Sequence, residues 1–238
     1  MMVEKPMYIT DLSFNEYYRQ YMTFEADALT EKCAGKIDVN MDDCYALCAS
    51  WINPDGEIVF NVLSIGPTWD TCTRGLEADE MLACFTVEDV IDCEVRIVIP
   101  DFEMMKKNAP YLEREEKETD EELIELRQDE RLDDLRDMIF PDIVEITYLL
   151  NGQIQFCQMK LCEVRGPFIY GEIIDPQQTN LSEGEKTYVL PYIGPQGPGL
   201  LRIYGDDSMN EDEHEMLQEI IQKAEEIGLG FDGYRIKS

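Results

Sequence analysis

Two apolar runs separated by a polar turn are the clearest pattern along the chain. The first run is Tyr45–Ile52, the second is Ile58–Ile65, and Asn53-Pro54-Asp55-Gly56-Glu57 lies between them. Asp-Gly between apolar runs is typical of a β-hairpin. Asn61 and Ser64 are the only polar residues of the second run, which indicates a strand buried on both faces.

Short helices and one alternating strand are predicted around this hairpin. Asp11 or Ser13 is placed to cap a short helix that carries four aromatic residues, of which Phe14, Tyr18 and Tyr21 share one face. Leu76–Ile91 predicts one or two short helices, with acidic residues near the start. Cys93–Ile99 alternates, with its apolar residues on one side, and predicts a half-buried strand.

The second half of the chain is predicted to be mainly β. Ile143–Leu150 and Gln153–Val164 flank Asn151-Gly152, a second hairpin signal. The alternation slips near Phe156 and Cys157, which predicts a bulge there. Gly194–Gly199 is predicted to be a loop. Three further strands are expected at Phe168–Ile174, Thr187–Ile193 and Leu200–Tyr204.

Two blocks concentrate the acidic residues. Glu113–Asp137 holds thirteen acids and five bases, contains no Gly or Pro, and carries a thin apolar stripe at helical spacing. It predicts one largely exposed helix joining two halves, and a disordered linker is the alternative. Asp206–Glu226 holds nine acids and one lysine, and most of it predicts an amphipathic helix closed by Gly228.

These elements predict an α+β fold with two small mixed or antiparallel sheet units joined by an acidic helix. The predicted boundaries are an N-terminal α+β unit over 1–105, an acidic helix or linker over 106–140, and a mainly β unit over 141–238 closed by the C-terminal helix. Strands grouped apart from helices argue against a doubly wound parallel sheet.

The charge of the chain limits its partners. Fifty-one Asp and Glu face twenty Lys and Arg, so the formal net charge is −31 at pH 7. Nucleic acids and anionic membrane surfaces are bound through basic clusters, so direct binding to either is not expected. A basic protein is the partner class that the charge favours. The sequence lacks signal-peptide features and long apolar runs, so we expect a cytoplasmic protein of unspecified oligomeric state.

No residue constellation predicts catalysis, a cofactor or a metal. The eight cysteines are expected to be reduced core residues. Cys44 with Cys48, and Cys157 with Cys162, match zinc spacing only loosely. His214 is the single histidine and lies among acidic residues on the polar side of the last helix. A solvated imidazole of this kind is a poor general base.

Six residues are candidates for an interaction surface. Trp69 and Arg74 belong to a loop that follows a strand, where they either form a recognition surface or cap the edge of the core. The others belong to the C-terminal part of the chain: Glu211, Glu215, Asp232 and Tyr234.

Two stretches resemble known families. Gly166–Pro191, with its Asp-Pro turn and Gly-acidic turn between strands, resembles YegJ-like bacterial domains of unknown function over roughly 143–204. That resemblance implies no established activity. Glu211–Tyr234, a helix followed by an aromatic-Asp-Gly-aromatic strand, resembles the end of the acidic protein regulators of RNase E. This second resemblance implies an α+β unit and a binding role.

Three hypotheses for function follow. The first is an acidic cytoplasmic bacterial protein that acts without catalysis as a protein-interaction, inhibitor or immunity-type module. The second is a carboxylate-dependent or metal-assisted hydrolase, which requires convergent carboxylates with raised pKa values in a pocket. The third is a mimic of nucleic acid, in which acidic helices stand in for phosphates.

Overall fold

The computed structural model describes residues 6–26, 29–150, 153–165, 168–176, 181–194 and 197–203. The chain divides into two compact units. The first contains Met1–Asp120 and Met138–Pro141, and the second contains Glu121–Asp137 and Asp142–Ser238. One unit holds an antiparallel sheet and the other a closed barrel, and both contain helix, which confirms the α+β class.

The first unit is built on a five-stranded antiparallel sheet with the strand order β4-β3-β2-β1-β5. Its strands are β1 Tyr21–Glu25, β2 Tyr45–Ile52, β3 Ile58–Gly66, β4 Ala83–Thr86 and β5 Val95–Val98. The hairpin predicted at Asp55-Gly56 is confirmed, because β2 and β3 pair from Ile52 with Ile58 onward. All nine residues of β3 are buried, as its continuous apolar pattern predicts.

Helices of this unit are short except for one. They are α1 Phe14–Tyr17, α2 Leu29–Lys32, α3 Val87–Val90 and α4 Phe102–Glu118, with 3-10 helices at Ile9–Asp11 and Trp69–Thr71. Of the one or two short helices predicted within Leu76–Ile91, one is present as α3, whereas β4 occupies the centre of that segment as a strand. Pairing of Phe85 with Phe60 across the sheet decides this, because a fully buried aromatic on a pleated surface favours the strand.

The two faces of the sheet are covered differently. One face carries the main core of the unit, where the rings of Phe24 and Phe60 meet edge to face with centroids 5.1 Å apart. The other face receives α4, whose inward residues are spaced by three and four: Met104, Asn108, Tyr111 and Glu115. Lys107 fastens the helix by donating to the carbonyls of Leu63 at 2.8 Å and Gly75 at 2.5 Å.

The second unit begins with α5 Glu121–Arg127 and a 3-10 helix at Glu130–Leu135, followed by five strands. These strands are β6 Ile143–Leu150, β7 Gln153–Arg165, β8 Phe168–Asp175, β9 Lys186–Gly194 and β10 Gly197–Ile203. Each strand pairs antiparallel with the next, and β10 pairs with β6 to close the barrel. Five alternating strands leave the first and last running the same way, so this closing pair is parallel.

A buried ion pair fastens α5 to the rest of the barrel unit. Arg127 donates from Nε and Nη2 to the two carboxylate oxygens of Asp142 at 3.1 and 2.6 Å. Arg136 lies 4.0 Å from the same carboxylate and donates to the Leu126 carbonyl at 2.6 Å. Leu126 and Leu132 are fully buried in the core that they share with the strands. The acidic start of this unit is therefore part of its packing.

The acidic segment Glu113–Asp137 is folded, but not as the single helix that its charge pattern predicts. α4 ends at Glu118, and extended backbone at Thr119 separates it from α5. Asp129, also extended, separates α5 from the 3-10 helix. Leucines of the predicted stripe pack in the core of the second unit, whereas the start of the segment, with the buried Glu115, belongs to the first unit.

Details of the barrel refine one prediction and correct another. The β6–β7 ladder runs without interruption past Phe156 and Cys157, but the β7–β8 ladder has a register shift close by, between Gln158 and Met159, and a second one at Cys162. The predicted loop Gly194–Gly199 is wrong at both ends, because β9 reaches Gly194 and β10 begins at Gly197. The hairpin at Asn151-Gly152 is confirmed by the pairing of β6 with β7 on either side of it.

No helix in the described part of the chain is both long enough and apolar enough to cross a membrane. The amphipathic helix predicted within Asp206–Glu226 lies outside the described residues.

Candidate protein-binding surface

Trp69 belongs to a stack of side chains beside the edge strand β5. It lies in the 3-10 helix that follows β3, half-buried, with its ring 4.6 Å from the ring of Tyr45 at the start of β2. The guanidinium of Arg96, on β5, lies 4.3 Å from the Trp69 ring centroid, within range of a cation–π interaction. Glu94 lies 3.8 Å from Arg96. The surface here combines aromatic rings with charged groups, and the cation Arg96 already interacts with Trp69 and Glu94.

Tyr45 in this stack stays neutral. Burial, followed by the nearby carboxylates of Glu25 and Glu94, raises the pKa of Tyr45. The phenol is therefore a hydrogen-bonding and stacking group rather than an acid at neutral pH.

Arg74, the second residue predicted for this surface, is occupied inside the fold. Its Nη2 forms an ion pair with the buried carboxylate of Asp43 and donates to the carbonyl of Asp38 at 2.5 Å. The backbone of Arg74 also bridges to Ile65 in β3. The loop after β3 is thus pinned to the loop before β2, and the structure shows no contact that brings Arg74 to Trp69.

Four large apolar side chains near β5 face solvent. Ile97 is 48% exposed and Ile99 is 93% exposed, and after Pro100 and Asp101 come Phe102, 70% exposed, and Met105, 46% exposed, at the start of α4. We call these four residues the edge patch. Met105 lies two positions before Lys107, which contacts β3, so it is on the flank of α4 that turns away from β3.

Sequence reasoning missed the edge patch. The alternation of Cys93–Ile99 places Val95, Ile97 and Ile99 together on a predicted buried side, and only Val95 is buried. The sheet ends at β5, so the side chains toward the end of this strand lack a covering layer. An alternating pattern indicates which side of a strand is apolar, but it carries no signal for the position of that strand in the sheet.

Every arginine whose side chain the structure describes pairs with a carboxylate of the same chain. The pairs are Arg19 with Glu115 and Glu116, Arg74 with Asp43, Arg96 with Glu94, Arg114 with Glu118, Arg127 and Arg136 with Asp142, Arg131 with Asp129, and Arg202 with Glu185. An arginine held this way is less available for an external phosphate or carboxylate. Because acids outnumber bases by thirty-one, the pairing leaves a large excess of carboxylates.

Glu115 differs from its neighbours in α4 because its carboxylate is buried. This carboxylate accepts hydrogen bonds from the Tyr18 hydroxyl at 2.7 Å and from Arg19 Nε at 3.2 Å. Glu116 is exposed and accepts from Arg19 Nη1 at 3.1 Å. Arg19 has a left-handed backbone, with φ of 54°, just before β1. This cluster connects α4 to the chain before the sheet.

Four of the eight cysteines are buried as predicted, whereas Cys44 and Cys84 are exposed and Cys93 and Cys162 are half-buried. Burial raises the pKa of Cys72 to about 12 and that of Cys157 to about 11, and it raises the pKa of Cys48 well above its ordinary value. All eight cysteines are free. Cys44 and Cys48 are four positions apart along extended backbone, a Cα separation of about 13 Å, too long for two ligands of one zinc ion.

The pKa values of two carboxylates, Asp89 and Asp129, are lowered, as is usual for carboxylates that accept hydrogen bonds within a fold. Burial alone would raise the pKa of Asp89, but hydrogen bonds from Lys32 and Thr86 outweigh it and lower the pKa. Asp129 follows the same rule, with Arg131 as its donor. Among the residues that the structure describes, no group of three or more His, Cys, Asp or Glu is arranged to hold a metal ion.

The single histidine, His214, and the remaining predicted site residues lie beyond Ile203 and outside the described part of the chain; those site residues are Glu211, Glu215, Asp232 and Tyr234. Comparison with family models, with curated proteins and with solved structures finds no match to this chain. The resemblances to YegJ-like domains and to the regulators of RNase E therefore stay predictions. Function has to be inferred from the charges and surfaces of the protein itself.

Proposed function

We propose that this protein is a non-catalytic interaction module, of the inhibitor or immunity type, that binds a positively charged protein in the bacterial cytoplasm. The observation that carries the proposal is the internal pairing of the described arginines. With these cations engaged, an approaching molecule meets mainly carboxylates. A basic surface is the complement of such a field.

The acidic surface is broad rather than confined to one helix. Exposed carboxylates occur in the loop before β4, in α4 and in α5, for example Glu77, Glu116 and Glu122. A field built from many groups acts at long range, and it speeds encounter more than it strengthens the final contact. The proposal therefore concerns how a partner is captured as well as which partner binds.

Salt-dependent capture tests the proposal. The full chain is immobilised, proteins retained from a bacterial lysate at low salt are eluted in steps of rising salt, and each retained protein is purified for kinetic measurement. The expected partner has a basic isoelectric point, and its association rate constant falls steeply as salt rises, because the Debye length shortens from about 30 Å at 0.01 M to about 8 Å at 0.15 M ionic strength. Affinity that does not change with salt contradicts the proposal.

A matched pair of variants isolates the charge. Glu77→Gln with Asp79→Asn and Glu80→Gln removes three exposed carboxylates, and Glu77→Asp with Asp79→Glu and Glu80→Asp keeps them. The neutralised variant is expected to associate more slowly than the charge-preserving one. Competition with duplex DNA for the captured protein would favour the nucleic-acid mimic instead, and turnover of a substrate by the purified chain would favour the hydrolase.

A further inference from the structure

We propose that the outer edge of β5 is a docking site where an extended segment of the partner protein, with apolar residues alternating with lysine or arginine, adds to the sheet as a further strand. This inference rests on the proposed function, and it specifies where on this protein the partner binds and which conformation the bound segment of the partner adopts.

The backbone of β5 offers hydrogen-bonding groups on its outer side. The Glu25 amide donates to the Glu94 carbonyl at 3.0 Å, so Glu94, Arg96 and Val98 turn their polar backbone groups toward β1. Val95 and Ile97 turn theirs outward. The Val95 amide donates to the Met7 carbonyl at 2.8 Å, which shows this edge accepting a neighbouring chain segment.

The described contacts of that neighbouring segment lie at the start of β5. Tyr8 forms a bridge with Glu94, and Met7 engages Val95. Beyond them, no backbone group of another described residue pairs with the outer side of Ile97. Among the described residues, the outer edge is thus engaged at its start and unpaired at Ile97, where the exposed side chains of the edge patch begin.

The other edge of the same sheet serves as an internal comparison. β4 is also an edge strand of four residues, yet no large apolar side chain of β4 or of the following α3 is exposed. Proteins normally protect sheet edges with charges, bulges or short strands, because an exposed apolar edge recruits other strands. Near β4 the exposed large apolar side chain is Ile91, 38% exposed, just after α3. Ile97, Ile99, Phe102 and Met105 instead follow one another within nine residues at and after β5, which favours that edge for recognition.

Charges around the edge patch select the chemistry of the partner. Between Ile91 and Glu103 the chain carries four acids, Asp92, Glu94, Asp101 and Glu103, and one base, Arg96. That base is stacked on Trp69 and lies close to Glu94. A strand that offers apolar side chains to the patch and lysine or arginine to this acidic rim complements both features.

A second copy of the chain fits this edge poorly. Each copy has a formal net charge of −31, so two copies repel at long range. Pairing β5 with β5 would also bring two acidic rims together, and like charges that face each other across a sheet are destabilising. Basic residues in the incoming strand remove both penalties.

Binding of labelled synthetic peptides to the full chain, followed by fluorescence polarisation, tests the inference. The probe alternates valine and lysine. One control has the same composition with valines and lysines in separate blocks, and another is the alternating peptide N-methylated at its backbone nitrogens. We expect the alternating peptide to bind and the N-methylated peptide to lose at least about tenfold in affinity, since its strand donors are gone.

Matched variants locate the site on the chain. Ile99→Ser in the edge patch is expected to weaken the alternating peptide about tenfold, whereas Ile193→Ser, at a 59% exposed residue of the barrel, leaves it unchanged. Amide exchange at Ile97 is expected to slow when the peptide binds. This residue-level measurement reports on the edge even where a variant folds poorly.

Four results would overturn strand addition. Equal, salt-sensitive binding of all three lysine peptides would leave the proposed function standing and exclude the strand mode. Absence of binding would also exclude it, while capture of a basic protein remains an independent test of function. Binding only after removal of residues 1–5 would assign the edge to the chain's own start. Dimerisation with slowed exchange at Ile97 would assign it to a second copy.

Discussion

The two units of this protein treat the edges of their sheets in opposite ways. The barrel pairs β10 with β6, so each of its strands has two neighbours. The first unit leaves β4 and β5 at the margins of an open sheet, and four large apolar side chains are exposed beside β5. A closed barrel has no edge to offer a strand. Among the described strands, an edge open to a further strand is therefore found only in the first unit.

Both units fasten an acidic helix by the same kind of contact, which allows a direct comparison. In the barrel unit Asp142 receives Arg127 through two hydrogen bonds, and in the first unit Glu115 receives Tyr18 and Arg19. Both carboxylates are buried. If the units are separate packing entities, each contact should stabilise only its own unit.

Loss of Asp142 is expected to have the largest effect. Asp142→Ala leaves Arg127 and Arg136 buried without their shared carboxylate, which should lower the free energy of unfolding of the barrel unit by about 3–5 kcal/mol. Hydrogen–deuterium exchange of peptides from β6–β10 measures this loss.

The exposed Asp134, in the 3-10 helix of the same unit, provides the control. Asp134→Ala should change the free energy of unfolding by less than about 0.5 kcal/mol. Faster exchange in β1–β5 as well as in the barrel of Asp142→Ala would show that the two units unfold together, and it would break the comparison.

Glu115 should give the next largest effect, confined to the other unit. Glu115→Gln keeps the shape of the side chain but replaces charge-assisted hydrogen bonds from Tyr18 and Arg19, so we expect a loss of about 1.5–3 kcal/mol in the first unit. The neighbouring Glu116→Gln, at a residue exposed to solvent, should change stability by less than about 0.5 kcal/mol. Exchange in peptides from β1–β5 distinguishes the two variants, and equal effects would mean that burial of Glu115 does not matter.

Local patterns in the sequence predict much of this fold. Asp55-Gly56 and Asn151-Gly152 locate two of the hairpins, because these dipeptides favour tight turns between strands, and Gly56 has the positive φ of 83° that glycine adopts readily. The prediction fails at β4, where pairing with β3 overrides a helical pattern. It also fails at the acidic segment, which divides between two cores. Both errors come from contacts between residues far apart in sequence.

The candidate surface was less predictable than the fold. Trp69 could be identified from the sequence as a large aromatic residue in a loop that follows a strand. Its contacts with Tyr45 and Arg96 could not, because they depend on the order of strands in the sheet. The edge patch is hidden for the same reason, since Ile97 and Ile99 continue the apolar side of a strand whose start is buried. Closure of the barrel by β10 and β6 likewise depends on long-range pairing.

Acid should weaken both units through one carboxylate in each. The pKa values of Asp89 in the first unit and Asp129 in the second are lowered in the folded protein, from an ordinary value of 3.8. Their contribution is therefore fully present above pH 3.8 and is lost as the pH falls through the lowered values. Asp89→Asn and Asp129→Asn should each cost about 1 kcal/mol in their own unit at pH 7 and progressively less in acid. Denaturation of the parent protein and of each variant at pH 7 and at an acidic pH measures this loss of stability. A loss that is the same at both pH values would exclude ionisation of the carboxylate as the cause.

The smallest effect on stability is expected at the edge patch, and it separates recognition from folding. Ile99 is exposed in the first unit and Ile193 is exposed in the barrel, so Ile99→Ser and Ile193→Ser should each change the free energy of unfolding by less than about 0.5 kcal/mol. The two residues should differ only in binding of the alternating valine–lysine peptide, which Ile99 supports and Ile193 does not. Urea denaturation and peptide titration of the same samples make the comparison. A marked loss of stability in Ile99→Ser would mean that the residue is part of the core, and the edge of β5 would then owe its apolar side chains to folding.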